Sequence, residues 1–229
     1  PVPAVMVSCG RPEEKPNIIT VAWAGTVCSS PAMVSISVRK ERYSYDILKE
    51  TGEFVINLIT RDLTYATDFC GVRSGRDVDK FAQMHLTPLP SQHISAPGIA
   101  ESPVNLECKV TQVIPLGSHD MFLAEVLGVT VDEKYMDVNG KFHLNDAGLV
   151  AYSHGEYFEL GEKLGKFGYS VAKKQAAKPE SVTKSAKPSG AGKKAASAEN
   201  RTASKTGAGN RRKSASKTGS ADKQKSRRK

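Results

Sequence analysis

Long apolar runs are missing from this 229-residue chain. No stretch of about 18 apolar residues exists, so nothing in it reads as a membrane-crossing helix. Cysteine is scarce: Cys9, Cys28, Cys70 and Cys108 lie far apart with no C-x-x-C pair, which speaks against a zinc knuckle or a redox dithiol. The chain opens at Pro1 without the basic flank and apolar stretch of a signal peptide, and four free thiols in a reducing cytoplasm are the simple expectation. No P-loop, G-x-G-x-x-G, Gly-x-Ser-x-Gly or His-Glu-x-x-His occurs, so no nucleophile–base pair is visible. Aromatic residues stop at Tyr169, and tryptophan occurs once, as Trp23.

Charge divides the chain in two. Residues 1–172 carry 15 Lys/Arg and 21 Asp/Glu (15 − 21 = −6), whereas residues 173–229 carry 18 and 3 (18 − 3 = +15), which together give the net +9. The chain therefore reads as an acidic globular body followed by a basic tail, and its pI near 9.4 describes the tail. The tail is built from Lys, Ala, Ser, Gly and Thr with loose repeats, Ala-Ser-Lys-Thr-Gly at 203–207 and again at 215–219. Such a composition cannot bury enough surface to offset its ordering entropy, so disorder over 173–229 is expected. Its charge suits non-specific contact with nucleic acid through counterion release, and its lack of aromatics argues against base stacking. A solvated tail, or one that meets acidic surfaces including its own body, is the alternative.

The body, 1–172, reads as mainly β. Residues 4–9, 17–24, 32–38, 53–59, 104–114 and 119–132 are strand candidates, rich in β-branched residues or alternating in polarity. Tyr43, Ile47 and Leu48 share a helical face over 43–50, with Gly52 as C-cap, and 62–72 and 77–84 suit short helices separated by Gly75. Gly117-Ser118 suits a turn, and Asn139-Gly140 a hairpin. Strands without regular βαβ alternation favour a closed or nearly closed barrel.

The stretch with most chemistry runs from Thr20 to Ser44. Small residues at 22, 24 and 25 leave backbone amides open, Thr26, Cys28, Ser29 and Ser30 supply short donors, and Arg39, Lys40 and Arg42 supply cations. A phosphorylated planar ligand needs this combination, although a strand, a turn and a solvated charge cluster have the same composition.

This segment, 16–44, resembles the opening of the flavin reductase-like family of FMN-binding split β-barrels, most closely its flavoredoxin-type branch. Further matches follow in order: Asp79-Lys80-Phe81, Asn105-Leu-Glu-Cys-Lys-Val110, and Gly117-Ser-His-Asp120 through Glu125-Val126. Ser118 stands where the family usually has Asp, and Ala124 where Gly is common. The resemblance covers about 1–170. It implies a mainly β fold, an FMN-binding split β-barrel with short peripheral helices, in a homodimer whose interface helps form the flavin site.

Carried over by position, the resemblance puts Ala22, Trp23 and Ala24 at the ring edge. Thr26, Cys28 and Ser29 would stand near flavin or ribityl oxygens, Ser37, Val38 and Arg39 along the ribityl chain, and Arg42, Tyr43 and Ser44 at the phosphate. The implied activity is that of an FMN flavoprotein oxidoreductase. It would take hydride from NAD(P)H, or electrons from a redox protein, and pass them to an acceptor such as free flavin. The alternative is a flavin- or heme-binding module without turnover, tethered to nucleic acid or an acidic partner by the tail. No residue is assigned as catalytic, because the flavin would carry the chemistry. His119 is a candidate for contact with phosphate or nicotinamide, or for a simple turn hydrogen bond. Trp23 suits a core aromatic as well as a ligand contact, Cys28 and Cys108 suit packing, His154 an exposed loop, and Asp79 and Lys80 a salt-bridged helix surface.

Overall fold

A computed structural model describes residues 1–172; the expected disorder of the basic tail lies outside the described residues. Twelve strands and three short α-helices make up Pro1–Ser170, with no helix among the described residues long and apolar enough to cross a membrane. Seven of the strands form one antiparallel sheet: β2 (Val5–Cys9), β3 (Asn17–Val21), β4 (Ala24–Ser29), β5 (Ala32–Arg39), β6 (Glu53–Leu58), β9 (Val104–Pro115) and β10 (His119–Val131). Their order is β3-β2-β6-β9-β10-β5-β4.

The order explains the curvature. The outermost strands, β3 and β4, are consecutive in the chain and joined only by Ala22 and Trp23. The sheet must therefore curl until its ends meet at that corner, where Ser37 N–H donates to the Trp23 carbonyl at 2.9 Å. The result is a barrel split along one seam, with the mainly β architecture that the sequence implies. Register shifts in the β10 pairing between Leu123 and Ala124, and again between Val126 and Gly128, supply the local bend that closure needs.

Two apolar layers hold the barrel. Inside it Val7, Ile36, Val38, Phe54, Cys108 and Phe122 pack together, each at most 2% exposed. Against the other face of β2 and β3 lies a second layer, with Met6, Ile18, Ile59, Cys70, Phe81 and Ile99, covered by α2 (Thr64–Val72) and α3 (Lys80–Gln83). β2 is buried on both faces, which is why its sequence, Val-Met-Val-Ser-Cys, shows no polar alternation, its one polar side chain, Ser8, being buried and donating to the Pro97 carbonyl. Cys108 is packing, as its strand position suggests, and burial pushes its thiol up to about 12.

Helix α1 (Tyr43–Thr51) ends where Gly52 adopts φ 64° and its N–H returns to the Leu48 carbonyl at 3.0 Å. Smaller pairings complete the body. β1 (Val2–Pro3), β11 (Val150–Ser153) and β12 (Glu156–Glu159) form a three-stranded sheet, and β7 (Pro88–Leu89) pairs with β8 (Gly98–Ile99).

Some expectations change. The strand expected over 17–24 stops at Val21, and the residues read as a small-residue turn become β4, because Ala24 to Ser29 find partners along β5. Asn139-Gly140 turns the chain, but only one isolated bridge, Met136 to Phe142, flanks it. His154 is exposed, at the tip of the β11–β12 hairpin.

Candidate functional site

A groove runs along the seam of the barrel. One end is a cleft of about 480 Å³ between the start of α1, the end of α2 and the loop that follows α2. It continues into a hollow of about 180 Å³ lined by Ala22, Trp23, Ser37, Val38 and His119, which shares Ile19, Arg39 and Arg42 with the first cleft. Beyond Trp23 a third hollow, about 310 Å³, is walled by Ala22, Val72, Tyr152 and Tyr157.

Local structure sets the charge of the first cleft. Arg42 precedes α1, and no side chain caps that helix, so its first N–H groups are left toward the cleft without a side-chain acceptor. Such an end attracts anions. Arg39, Arg42, Arg73, Arg76 and Lys80 all line the cleft, with Glu41 as its one acidic residue. Arg39 Nη1 pairs with Glu41 at 3.1 Å. Arg42 and Arg76 donate to backbone carbonyls, those of Gly71 at 3.5 Å and Glu41 at 3.3 Å, and the Arg76 guanidinium lies 5.4 Å from the centre of the Tyr43 ring. The loop approaches closely only because residue 75 is glycine: a Cβ there would stand 2.2 Å from Asn17 Oδ1 and 2.6 Å from Tyr43 Cδ1.

Lys80 overturns its expected role. It is 4% exposed, and its Nζ donates to the carbonyls of Ile18 at 2.5 Å and Cys70 at 2.8 Å. It makes no salt bridge among the described residues, since its long stem carries the ammonium inward beneath α2; burial lowers its pKa. Its neighbour Asp79 accepts from the Ala82 N–H at 3.1 Å and so caps α3. The Cys9 and Cys70 thiols near it are pushed up by burial to about 12 and about 11, so neither is a thiolate at neutral pH.

The sequence-derived candidates divide between groove and flank. Ala22, Trp23, Ser37, Val38, Arg39, Arg42, Tyr43, Ser44 and His119 all line the groove. Ala24, Thr26, Cys28 and Ser29 lie on the outer edge strand β4 and line none of these hollows in the single protomer. Trp23 is 58% exposed and so is not a core aromatic. Cys28 is half-buried and unpaired with any other cysteine. Ser44 is buried, its hydroxyl accepting from Asn17 Nδ2 at 2.7 Å, so its contribution to the cleft is backbone. His119 is half-buried, with Nδ1 2.9 Å from Ser118 Oγ, and it pairs across the sheet with Arg39.

Lys40 is drawn off the groove toward Asp120, at 3.3 Å. Asp120 also accepts from the Tyr45 hydroxyl at 2.6 Å, and that hydrogen bond, with Lys40 beside it, holds the carboxyl below its ordinary range. Residues 71–76 were missed by sequence reasoning, which treated Gly75 only as a separator between helices. The available signal was Arg73-Ser-Gly-Arg76, two cations around a glycine directly after a helix.

The groove thus joins an apolar stretch, with an exposed indole and open backbone, to a cationic end. It can seat an elongated ligand that is flat at one end and anionic at the other.

Comparison with known proteins agrees. The family model for the flavin reductase like domain matches residues 1–161. The flavoredoxin of Desulfovibrio vulgaris (Miyazaki F) superposes with a TM-score of 0.70 at 34% identity, over 75% of this chain and 93% of that one. A flavoredoxin from Methanosarcina acetivorans gives 0.65 at 25% identity, over 75% and 92%. An uncharacterised protein of Archaeoglobus fulgidus is 32% identical over 145 residues, 63% of this chain and 81% of its own length. On these matches, which support the flavoredoxin-type branch, the chain belongs to the flavin reductase-like family of split β-barrels.

Proposed function

We propose that the protein is an FMN-dependent oxidoreductase, active as a homodimer, that accepts hydride from NAD(P)H or electrons from a redox protein and passes them to a second acceptor. The observation that carries this reading is the groove itself, an open-backbone corner at Ala22-Trp23 running into a cationic cleft at an uncapped helix start. The donor set fits a flavin mononucleotide. A phosphate monoester needs cations and N–H donors, which Arg42 and the start of α1 provide. A flat ring needs apolar wall and backbone edge, which Ala22, Trp23 and Val38 provide.

In this reading Arg42 and the Tyr43 and Ser44 N–H groups grip the phosphate, and Ser37, Val38 and Arg39 follow the ribityl chain. Ala22 and Trp23 border the ring, and Ala24 follows them on β4. Bound FMN supplies the hydride and electron chemistry. The protein's task is orientation and exclusion of water, with His119 placed to donate or accept a proton at its ring nitrogen beside the groove.

The flank residues Thr26, Cys28 and Ser29 find their role at the dimer seam. β4 is a sheet edge among the described residues, and Val27 on it and Trp23 just before it are exposed large apolar residues. A second copy covering them would bring β4 against the groove of its partner.

The spectrum of the purified protein tests the reading. A flavin absorbance band that NADH or NADPH bleaches is expected. A protein that stays colourless after soaking in excess FMN overturns it, and a yellow protein that only dithionite bleaches restricts it to electron transfer.

A further inference from the structure

Beyond Trp23 the groove changes sign. The hollow of about 310 Å³ there has aromatic walls, Trp23, Tyr152 and Tyr157, and its one charged lining residue is Asp68. Two local causes build it. The β11–β12 hairpin sets Tyr152 opposite Tyr157, and their rings meet edge to face with centroids 5.4 Å apart. Helix α2 brings Asp68 up to them because it lies close on β3: the Thr20 hydroxyl donates to the Thr67 carbonyl, and a Cβ on Gly71 would stand 3.2 Å from Thr20 Cβ. Asp68 Oδ1 accepts from the Tyr157 hydroxyl at 3.4 Å. That proton stays in place at neutral pH, because burial, and then Asp68 itself, push the phenol up to about 12.

Asp68 meets no cation: it forms no ion pair among the described residues. The cations around the same end of α2, Arg42 and Lys80, are held on the Gly71 and Cys70 carbonyls and line the first cleft, not this hollow. Aromatic ring faces are electrostatically negative, and a carboxylate beside them adds a full charge, so together they favour a cation that is itself flat. A neutral ring would strip water from Asp68 without replacing it, and an anion would be repelled.

We infer that the hollow behind Trp23, between the Tyr152 and Tyr157 rings and the Asp68 carboxylate, binds a flat organic cation. Ala22 and Trp23 line both this hollow and the neighbouring one assigned to the flavin ring, so the cation sits beside that ring. Its standing as a substrate class rests on the flavin reading above; binding itself does not.

Quinoline, neutral in mildly alkaline buffer, and its cation N-methylquinolinium share one flat shape and so isolate the charge. Calorimetric titration of each into the full chain, with and without FMN, measures the preference. The emission of Trp23, the chain's one tryptophan, locates the binding in FMN-free protein. The wild type is expected to bind the cation about tenfold more tightly than quinoline, to lose part of that affinity as salt rises, and to keep it after loading with FMN. Asp68→Asn, on the exposed surface of α2, is expected to erase most of the preference with FMN affinity unchanged, and Asp68→Glu to retain it. The inference is overturned by equal affinity for the two probes, by no measurable binding of the cation, or by a preference that survives Asp68→Asn. Binding that leaves Trp23 emission unmoved also overturns it, as does binding abolished by FMN, which would put the probe in the flavin's own place. Wild-type protein that binds N-methylquinolinium but no FMN instead defeats the flavin reading and leaves the cation site standing.

Discussion

Arg42 is the residue on which the anion-binding end depends most directly. It stands at the head of α1, lines both the first cleft and the hollow beside it, and among the described residues its guanidinium donates to the Gly71 carbonyl at 3.5 Å. Arg42→Ala is therefore expected to weaken FMN retention by about tenfold to a hundredfold, the range of a charge-assisted hydrogen bond, while leaving thermal stability nearly unchanged. Fluorescence titration with FMN and a melting curve check both halves; unchanged retention removes Arg42 from the phosphate role. This residue was legible in the sequence because a cation at a helix start is a local pattern. Lys80 was not. A Lys beside an Asp on a short helix reads as surface, and only the packing of α3 against β3 carries its ammonium to the Ile18 and Cys70 carbonyls.

At the scale of elements, caps and latches hold the frame of the groove. α1 depends on Gly52 in the left-handed region, where a Cβ would meet nothing within 4 Å, so the cost of a side chain is purely conformational. Gly52→Ala is expected to destabilise the protein by about 1 kcal/mol, read from denaturant unfolding. A loss near zero would show that the helix end relaxes freely.

The loop before β8 is latched by Glu107 on β9, which is buried. Its carboxylate accepts from the Gln92 N–H at 3.0 Å and the His93 N–H at 2.8 Å, with His93 Nδ1 at 3.0 Å. Burial alone would raise its pKa, but these donors outweigh burial and bring it below the ordinary 4.5. A depressed carboxylate stabilises the fold above its ordinary pKa, and that contribution fades as pH falls through the folded-state value. The melting temperature of the wild type is thus expected to exceed that of Glu107→Gln near neutrality, and the gap to close on acidification below about pH 4.5. A gap independent of pH would deny Glu107 this role.

For the whole molecule, the charge asymmetry makes a separate prediction. Residues 173–229 contribute +15 and the body −6. Full-length protein is expected to bind duplex DNA with an affinity that falls steeply as salt rises, and protein ending at 172 to lose that binding. Binding insensitive to salt, or retained without the tail, would exclude the electrostatic mechanism. Sedimentation supplies the companion test for the proposed homodimer, since a monomer at micromolar concentration would leave β4 and its exposed Val27 uncovered.

Local patterns settled much of this protein from the sequence alone. Polarity alternation over 32–38 gave β5, and the Tyr43, Ile47 and Leu48 face with Gly52 gave α1, while the split-barrel class was implied by the family resemblance. The strand and the helix depend on neighbours a few residues apart. The tertiary structure alone decided that β4 is an edge strand, that Arg73 and Arg76 join Arg42 across a gap of some thirty residues, and that Lys80 lies beneath them. Strand pairing and charge convergence are set by contacts between distant segments, and no periodicity in the chain encodes them.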